Sequence, residues 1–375
     1  MMRGPLLIVG ASGRAAAASA IRAGFDPFVI DLFADADTQR LCPVLKCDPS
    51  DYPHGFIPLA ENAPAGPWMY TGGLENHPEV VEAISKYRVL LGNDYEVLQT
   101  ARNERLIAER VRHAGGNFPA TAEPGSIPSD DRIWIRKPRN SSGGRGIRIA
   151  EKHDFENTTT AMREMLQVFI HGDPMSAIYF TRKPDQHRLF GITRQLVGTT
   201  WLHAKNFEYT GNISTMDEKI ERSMQISPLA FNGMGFEFVW GEDFIRTSKG
   251  PFTIEINPRY TAAIEVLEHA TGTAIMAEDW LERTCHRCVI AKGIYYAPHS
   301  FTFPESGAWD DSLANCTDDW TLHHYADIPH AGSKIEVGQP VITIFAEGET
   351  ETDCLQLLQR RAAELDRLFG WETSP

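Results

Sequence analysis

Residues 133–146 read Ile133-Trp134-Ile135-Arg136-Lys137-Pro138-Arg139-Asn140-Ser141-Ser142-Gly143-Gly144-Arg145-Gly146. The first six residues, aromatic and β-branched up to a proline, read as a strand. Ile147-Arg148-Ile149 reads as a second strand. The segment is therefore a hairpin with a long glycine-rich tip. Such a tip can lay backbone N–H groups against phosphate oxygens, and Lys137 stands just before it as a point charge. The motif is not a P-loop, because G-x-x-x-x-G-K-[ST] is absent and no helix follows. A solvated hairpin tip with a surface lysine would use the same residues.

Downstream, the pattern predicts a helix over about 154–164 and a strand over 166–170. From 176 to 260 it is alternating β, with strands at 176–180, 189–197, 235–240 and 252–256 around a helix at about 216–230. The last of these strands runs into Glu255-Ile256-Asn257-Pro258-Arg259. Period two puts the Glu255 and Asn257 side chains on one face. A carboxylate and an amide oxygen are hard ligands suited to Mg²⁺. Glu237, in the neighbouring predicted strand, completes the expected metal set, and Arg259 is placed for an anion beside it. The flanking Phe236, Phe238, Val239, Ile254 and Ile256 make the sheet largely buried. A carboxylate pair there is costly without a cation; a solvated polar face is the alternative.

Upstream, Leu6-Leu7-Ile8-Val9, the turn Gly10-Ala-Ser-Gly13-Arg14, an Ala-rich helix over 15–23 and Phe28-Val29-Ile30-Asp31 make a βαβ unit. It would bind a dinucleotide with Asp31 on a ribose, but the third glycine of G-x-G-x-x-G is missing. A tight strand-to-helix turn accounts for the glycines equally well. Trp68-Met69-Tyr70 is a further strand, followed by the loop Thr71-Gly72-Gly73-Leu74-Glu75-Asn76 and a helix opening at His77-Pro78. Residues 95–113 read as one long helix, 117–131 as a linker, 261–291 as helical, 294–348 as short strands and 350–369 as a final helix.

The chain has 375 residues and a net charge of −14, an acidic balance that argues against non-specific nucleic-acid binding. No run reaches the ~18 apolar residues of a membrane span, and the first 22 residues, broken by Gly10, Ser12, Gly13 and Arg14, do not read as a signal peptide. A cytoplasmic protein is expected, with its six cysteines as free thiols. Cys285-His-Arg-Cys288 alone is too few ligands for zinc.

In order and spacing, the strand with Lys137, the glycine loop, Gln167-Val-Phe-Ile170-His-Gly-Asp173, Glu237 and Glu255-Ile-Asn257-Pro-Arg259 resemble the ATP-grasp superfamily over roughly residues 100–275. The resemblance implies an α/β (α+β) fold divided into four parts. These are a Rossmann-like pre-ATP-grasp domain (1–98), a first lobe with the glycine loop (99–185), a second lobe with the metal site (186–290), and a β-rich C-terminal segment with a terminal helix (291–375). It implies that Lys137 and the loop Ser141, Ser142, Gly143, Gly144 and Gly146 hold ATP phosphates, and that Gln167, Phe169 and Ile170 hold adenine. Asp173 would take the place of a ribose-binding acid. Glu237, Glu255 and Asn257 would hold Mg²⁺, or Mn²⁺, and Arg259 would steady the reacting phosphate, making Lys137 and Arg259 the catalytic pair. Two features depart from the pattern. Gln167-Val168 stand where many members have Glu, and the usual Lys before the linker is replaced by Arg102 or Arg105.

A narrower resemblance rests on Gly10-Ala-Ser-Gly-Arg14, Asp31-Leu-Phe-Ala-Asp35, Gly72-Gly-Leu-Glu-Asn76, Arg194-Gln-Leu196 and Ile328-Pro-His-Ala-Gly332. These are similar to the ATP-grasp ligases of tetrahydromethanopterin- and methanofuran-linked one-carbon metabolism, the group of tyramine–glutamate ligase. The implied activity is ADP-forming amide synthesis from a small carboxylate and an amine through an acyl phosphate, with a homodimer as an admissible assembly and no membrane or nucleic-acid partner. Arg194 and the 72–76 loop (Gly73, Glu75) are candidates for substrate contact or for structure alone. Competing readings are a biotin-carboxylase-like enzyme, a non-catalytic nucleotide-binding protein and an NAD-linked oxidoreductase.

Overall fold

The computed structural model describes residues 3–122, 131–156, 163–277, 288–316 and 320–371. Its N-terminal sheet is parallel, in the order 44–46, 25–31, 4–9, 68–70. The continuous apolar run Leu6–Val9 is buried, as a strand covered on both faces must be. The helix Arg14–Arg22 follows at once. Asp31 closes this turn: its carboxylate accepts from the backbone N–H groups of Gly13 (2.9 Å), Phe33 (3.1 Å) and Ala34 (2.6 Å). That hydrogen bonding explains Asp31 without a ribose and removes the motive for the dinucleotide reading.

The helix read over 95–113 is two helices, Tyr95–Ala101 and Glu104–His113. Each carries its own N-cap. Asp94 accepts from Val97 N–H at 3.0 Å and Asn103 from Leu106 N–H at 3.1 Å. The second cap restarts the chain at Asn103 and leaves Arg102 at the joint.

A second sheet, antiparallel, has the order 121–122, 164–168, 134–138, 148–149, so the glycine loop is indeed a hairpin tip. The third sheet has eight antiparallel strands in the order Gly250–Asn257, Phe238–Thr247, Asp173–Thr181, His187–Val197, Tyr209–Thr215, Val289–Tyr296, Pro340–Gly348 and Tyr325–Ala326. The division at 185/186 therefore cuts a hairpin, and the strands after 291 extend this same sheet.

Three local readings change. The strand placed at 235–240 starts at Phe238 and runs to Thr247. Within the run read as helical over 261–291, the helix Ala262–Thr271 is ended by Gly272 at φ +65°, residues 278–287 lie outside the described residues, and Val289–Tyr296 is a strand. The helix expected from 154 begins at Lys152. The strand Tyr209–Thr215 was not read at all: its Thr, Gly, Asn and Ser residues give no apolar alternation, yet it lies inside the sheet.

The helix Ala262–Thr271 joins the parts. Ile264 and Leu267 pack in one core with Ala16, Ala17 and Ala20 of the first helix. Arg14 pairs with Glu265 at 2.5 Å, and Arg22 pairs with Glu268. The C-terminal helix Glu351–Phe369 is opened by a Thr350/Asp353 capping box and buries Cys354, Leu358, Ala362 and Leu365 against the sheet. Cys42, Cys47, Cys316 and Cys354 are free thiols; Cys285 lies outside the described residues. Among the described residues, no helix is long and apolar enough to cross a membrane.

Candidate functional site

A cavity of about 620 Å³ opens between the second and third sheets. This is the range of small-molecule sites. Its walls include Lys137, Ser142, Gly143, Gly144, Gln167, Phe169, Ile170, Glu255, Asn257 and Arg259, so segments far apart in sequence converge on it. The Gln167 side chain is buried, and among the described residues its Nε2 has no partner, which leaves a donor free for a polar ligand. Phe169 N–H is taken by the Ile133 carbonyl at 2.9 Å. The glycine tip is seated on the loop beyond it. Tyr209 N–H donates to the Gly143 carbonyl at 2.9 Å, and Gly144, at φ +73°, lies against the Phe207 carbonyl so closely that a Cβ would approach it to 1.8 Å. Phe207 itself has φ +65°, which is strained for a bulky residue. Gly144→Ala should therefore unseat the tip and weaken nucleotide affinity about tenfold to a hundredfold, with little change in thermal stability. Unchanged affinity in calorimetry would show that the tip is not seated on the ligand.

On the sheet face below, Asp243 is the register partner of Glu255, and Gly241 that of Asn257. Asn257 Nδ2 donates to Asp243 Oδ2 at 2.9 Å. Ser176 Oγ donates to Asp243, and Gln195 Nε2 donates to Ser176 Oγ at 2.6 Å. The second carboxylate is thus Asp243. Glu237 stands before the strand, exposed, and contributes only its N–H, to Asn93.

The two carboxylates differ electrostatically. Burial alone would raise Glu255, but Lys137 (3.4 Å) and Arg102 (2.6 Å) outweigh it and hold its carboxyl at about 2. Burial, and then the charge on Glu255, push Asp243 up to about 6. Asp243 carries the negative charge that the protein leaves least compensated, the position a divalent cation would neutralise. Affinity for Mg²⁺ should fall as pH drops through about 6, because protonation removes the ligand charge. Asp243→Asn should weaken Mg²⁺ binding and turnover by roughly a hundredfold and abolish that pH dependence. Glu237→Gln should change neither; the opposite pattern in Mg²⁺ titrations would restore Glu237 to the site.

Arg102, not Arg105, reaches the site, 2.6 Å from Glu255. Arg105 is exposed and pairs with Glu109 one helical turn away. Behind this face lies Glu75, 1 % exposed, 2.8 Å from Arg259 Nε and 3.5 Å from Arg102 Nη2. Burial opposes its ionisation, but Arg259 and Arg102 hold its carboxyl below the usual range. Gly73 N–H (2.5 Å) and Ser142 Oγ (3.0 Å) donate to it, so Glu75 ties Arg259 to the glycine tip. Asn76 Nδ2 donates to Ser142 Oγ at 3.0 Å. Glu75 and Gly73 therefore stand behind Arg259 as positioning residues.

Two other expected residues are elsewhere. Asp173 pairs with Arg246 at 2.7 Å; its neighbours Gly172 and Pro174 line the cavity instead. Arg194 is tied to Glu351 at 2.8 Å, at the start of the C-terminal helix, and the next residue, Gln195, is the one in the wall. Ser141 Oγ donates to the Arg145 carbonyl at 2.6 Å, bracing the tip, and Gly146 turns it at φ +77°. Asp243, Ser176, Gln195 and Asn212 are wall residues that the sequence reading missed. Among the described residues, no cluster of three or more His, Cys, Asp or Glu is arranged for a metal; Cys285 lies outside them.

A second cavity, about 610 Å³, lies between the N-terminal sheet and the third sheet. It shares Arg259, Thr261 and Ala262 with the first. Leu32, Phe33, Ala34, Asp35, Gly72, Pro329 and His330 also face it.

The ATP-grasp domain family matches residues 101–263. An uncharacterized protein of Methanocaldococcus jannaschii is 20% identical over 271 residues, 69% of this chain and 64% of that relative, so just under two thirds of the relative is spanned. Among solved structures, an L-amino acid ligase from Bacillus licheniformis superposes with TM-score 0.68 at 13% identity, covering 97% of this chain and 98% of that one. The N5-carboxyaminoimidazole synthetase of Staphylococcus aureus, complexed with ADP, gives 0.65 at 14% identity with 97% of each chain covered. A biotin carboxylase from Campylobacter jejuni gives 0.68 at 15% identity, covering 96% of this chain and 90% of that one. These structures share the fold, and the family match covers the glycine-tipped hairpin and the strand Gly250–Asn257 alike: residues 101–263 resemble an ATP-grasp domain.

Proposed function

We propose that the protein is an ATP-dependent carboxylate–amine ligase that makes an amide through an acyl phosphate and releases ADP. The observation that carries this reading is the shared wall. Two cavities of about 620 and 610 Å³ meet at Arg259, Thr261 and Ala262, so a nucleotide in one can reach an organic substrate in the other across Arg259.

In this reading, ATP occupies the first cavity. Its phosphates lie under Ser142, Gly143 and Gly144 beside Lys137, and its base lies against Phe169 and Ile170. With Phe169 N–H already engaged, adenine contacts at that strand end fall to the Phe169 carbonyl and the Ile170 amide. Asp243, Glu255 and Asn257 would hold Mg²⁺, for which two carboxylates and an amide oxygen are a fitting donor set. When bound, the ion supplies charge neutralisation on the phosphates. A substrate carboxylate oxygen attacks the γ-phosphorus, the β–γ P–O bond breaks, and ADP leaves with the bonding pair. Lys137 and Arg259 bear on the three equatorial oxygens as charge shifts. The lone pair of an amine then attacks the acyl carbon, inorganic phosphate leaves with the C–O pair, and the nitrogen gives up a proton. No cysteine lines either cavity among the described residues, which favours an intermediate on phosphate over one on the protein.

The narrower reading, a ligase acting on a precursor of a one-carbon-carrier cofactor in the cytoplasm, draws support from where its motifs fall. Segments 31–35, 72–76 and 328–332 each contribute to the second cavity. A panel of carboxylates and amines, scored by ADP release and product mass, tests the assignment. Release of ADP only with an acid and an amine together supports it; release that depends on bicarbonate moves the enzyme toward the carboxylases.

A further inference from the structure

The loop under the glycine tip holds a residue that its backbone does not ask for. Glu208 N–H donates to the Lys205 carbonyl at 3.1 Å and closes a four-residue turn in which Phe207 is third, at φ +65°. A positive φ at that position is glycine's place, and a bulky side chain there is strained. What the loop does for the tip is done by its backbone. Gly144 lies against the Phe207 carbonyl, and Tyr209 N–H donates to the Gly143 carbonyl at 2.9 Å. A glycine at 207 would make the same seat without the strain. The ring needs a reason of its own.

Its surroundings supply one. Phe207 lines the first cavity, and its ring meets that of Phe169 edge to face, with centroids 6.0 Å apart and planes at 81°. The two rings come from opposite walls. Phe169 follows the strand Glu164–Val168 of the second sheet, and Phe207 precedes Tyr209–Thr215 of the third. The His171 ring stands 4.8 Å from Phe169 and steadies it. Both phenylalanines are only half-buried. Ile149 and Val197 line the same cavity and are exposed for large apolar side chains. None of these four lining side chains can pair with a charge. The charged groups of the cavity wall are Lys137, Asp243, Glu255 and Arg259. The wall thus offers apolar and aromatic surface to one part of an occupant and charge to another.

We propose that Phe207 packs its ring on the nucleobase, in concert with Phe169, and so makes the cavity select a nucleotide over a bare polyphosphate. A base presents a π face whatever its edge groups, and that contact offsets the strain at 207. One residue then serves both ends of the ligand: its ring grips the base, and its carbonyl seats the tip over the phosphates. The inference rests on the nucleotide reading of the first cavity and adds to it the residue that grips the base.

The test is calorimetry on the full chain with Mg²⁺, using ADP and inorganic pyrophosphate, which differ by the nucleoside. Phe207→Gly keeps the turn and the carbonyl seat but removes the ring; Phe207→Tyr keeps the ring. Phe207→Gly should weaken ADP binding by about fivefold to a hundredfold and leave pyrophosphate within about twofold of wild type. Phe207→Tyr should bind ADP nearly as the wild type does. In nuclear magnetic resonance spectra, the adenine H2 and H8 signals of ADP bound to the wild type should move upfield through the ring current. Unchanged ADP affinity in Phe207→Gly overturns the proposal. So does an equal loss for ADP and pyrophosphate, which would confine residue 207 to seating the tip. Adenine signals unshifted in the wild type overturn it as well, with no variant needed. A wild type that binds no ADP contradicts the nucleotide reading and this proposal with it; ADP binding indifferent to the ring contradicts this proposal alone.

Discussion

Glu255→Gln should lower turnover by roughly a thousandfold or more and also destabilise the protein, by up to about 3 kcal/mol at neutral pH. The first effect follows from its place beside Asp243 and Asn257, where it would hold the metal. The second follows from its partners. Lys137 and Arg102 hold Glu255 at about 2 instead of 4.5, so the folded state gains from its ionisation. The sign is that of a depressed carboxylate: the contribution is fully present above about 4.5 and is lost as pH falls toward 2. The sequence alone suggested an acidic cluster whose dilution would relieve repulsion. The structure reverses that, because two cations already sit on Glu255. Thermal unfolding of the variant against wild type, at neutral and acid pH, should show a deficit that shrinks as the pH is lowered. A variant of wild-type stability and activity would contradict both roles.

Arg259→Ala should be nearly as severe for turnover, a loss of roughly a hundredfold to a thousandfold, with nucleotide affinity changed far less. Arg259 lines both cavities and is held by Glu75 and by the Asn257 side chain (Nη2 to Oδ1, 3.3 Å). Of the residues the two cavities share, Arg259, Thr261 and Ala262, Arg259 is the charged one. Arg259→Lys keeps the charge but not the planar double donor, and should recover little of the loss. Removing Arg259 also strips Glu75 of its nearest cation, leaving Arg102 to hold that buried carboxylate. A stability loss should accompany the kinetic one. Near-normal turnover in the lysine variant would place the reacting phosphate elsewhere.

Much of the site was legible because its residues sit at fixed offsets on strands. Lys137 before a glycine tip, and Glu255 two residues from Asn257, need only period two to be placed together. The misplacement of Glu237 shows where that reasoning stops. The hairpin turns at Ser248-Lys249, with Thr247 opposite Gly250, and counting back from it pairs Phe244 with Thr253. Without interruption Glu242 would then face Glu255. A bulge between Asp243 and Phe244 shifts the register by one and brings Asp243 there instead. Glu242 goes to the opposite face, where Ser227 and Thr253 donate to it. Neither the bulge nor the strand's extension past Gly241 has an apolar signature. Tyr209–Thr215 was missed for a related reason. Its polar residues are satisfied by one another across the sheet, Asn212 Nδ2 donating to Thr193 Oγ1 at 2.7 Å, so burial leaves no hydrophobic trace. Glu75 and Arg194 could not be told apart by sequence: both are charged residues near turns, and only long-range packing gives one to Arg259 and the other to Glu351.

In the proposed mechanism ATP activates a carboxylate as an acyl phosphate. It is tested most directly by hydroxylamine trapping. The enzyme is incubated with ATP, Mg²⁺, hydroxylamine and a panel of small carboxylic acids, with no other amine present. A hydroxamate should form with one acid class, in equal amount with ADP and inorganic phosphate. AMP and pyrophosphate in place of ADP, or ADP formed only when bicarbonate is supplied and with no hydroxamate, would contradict it.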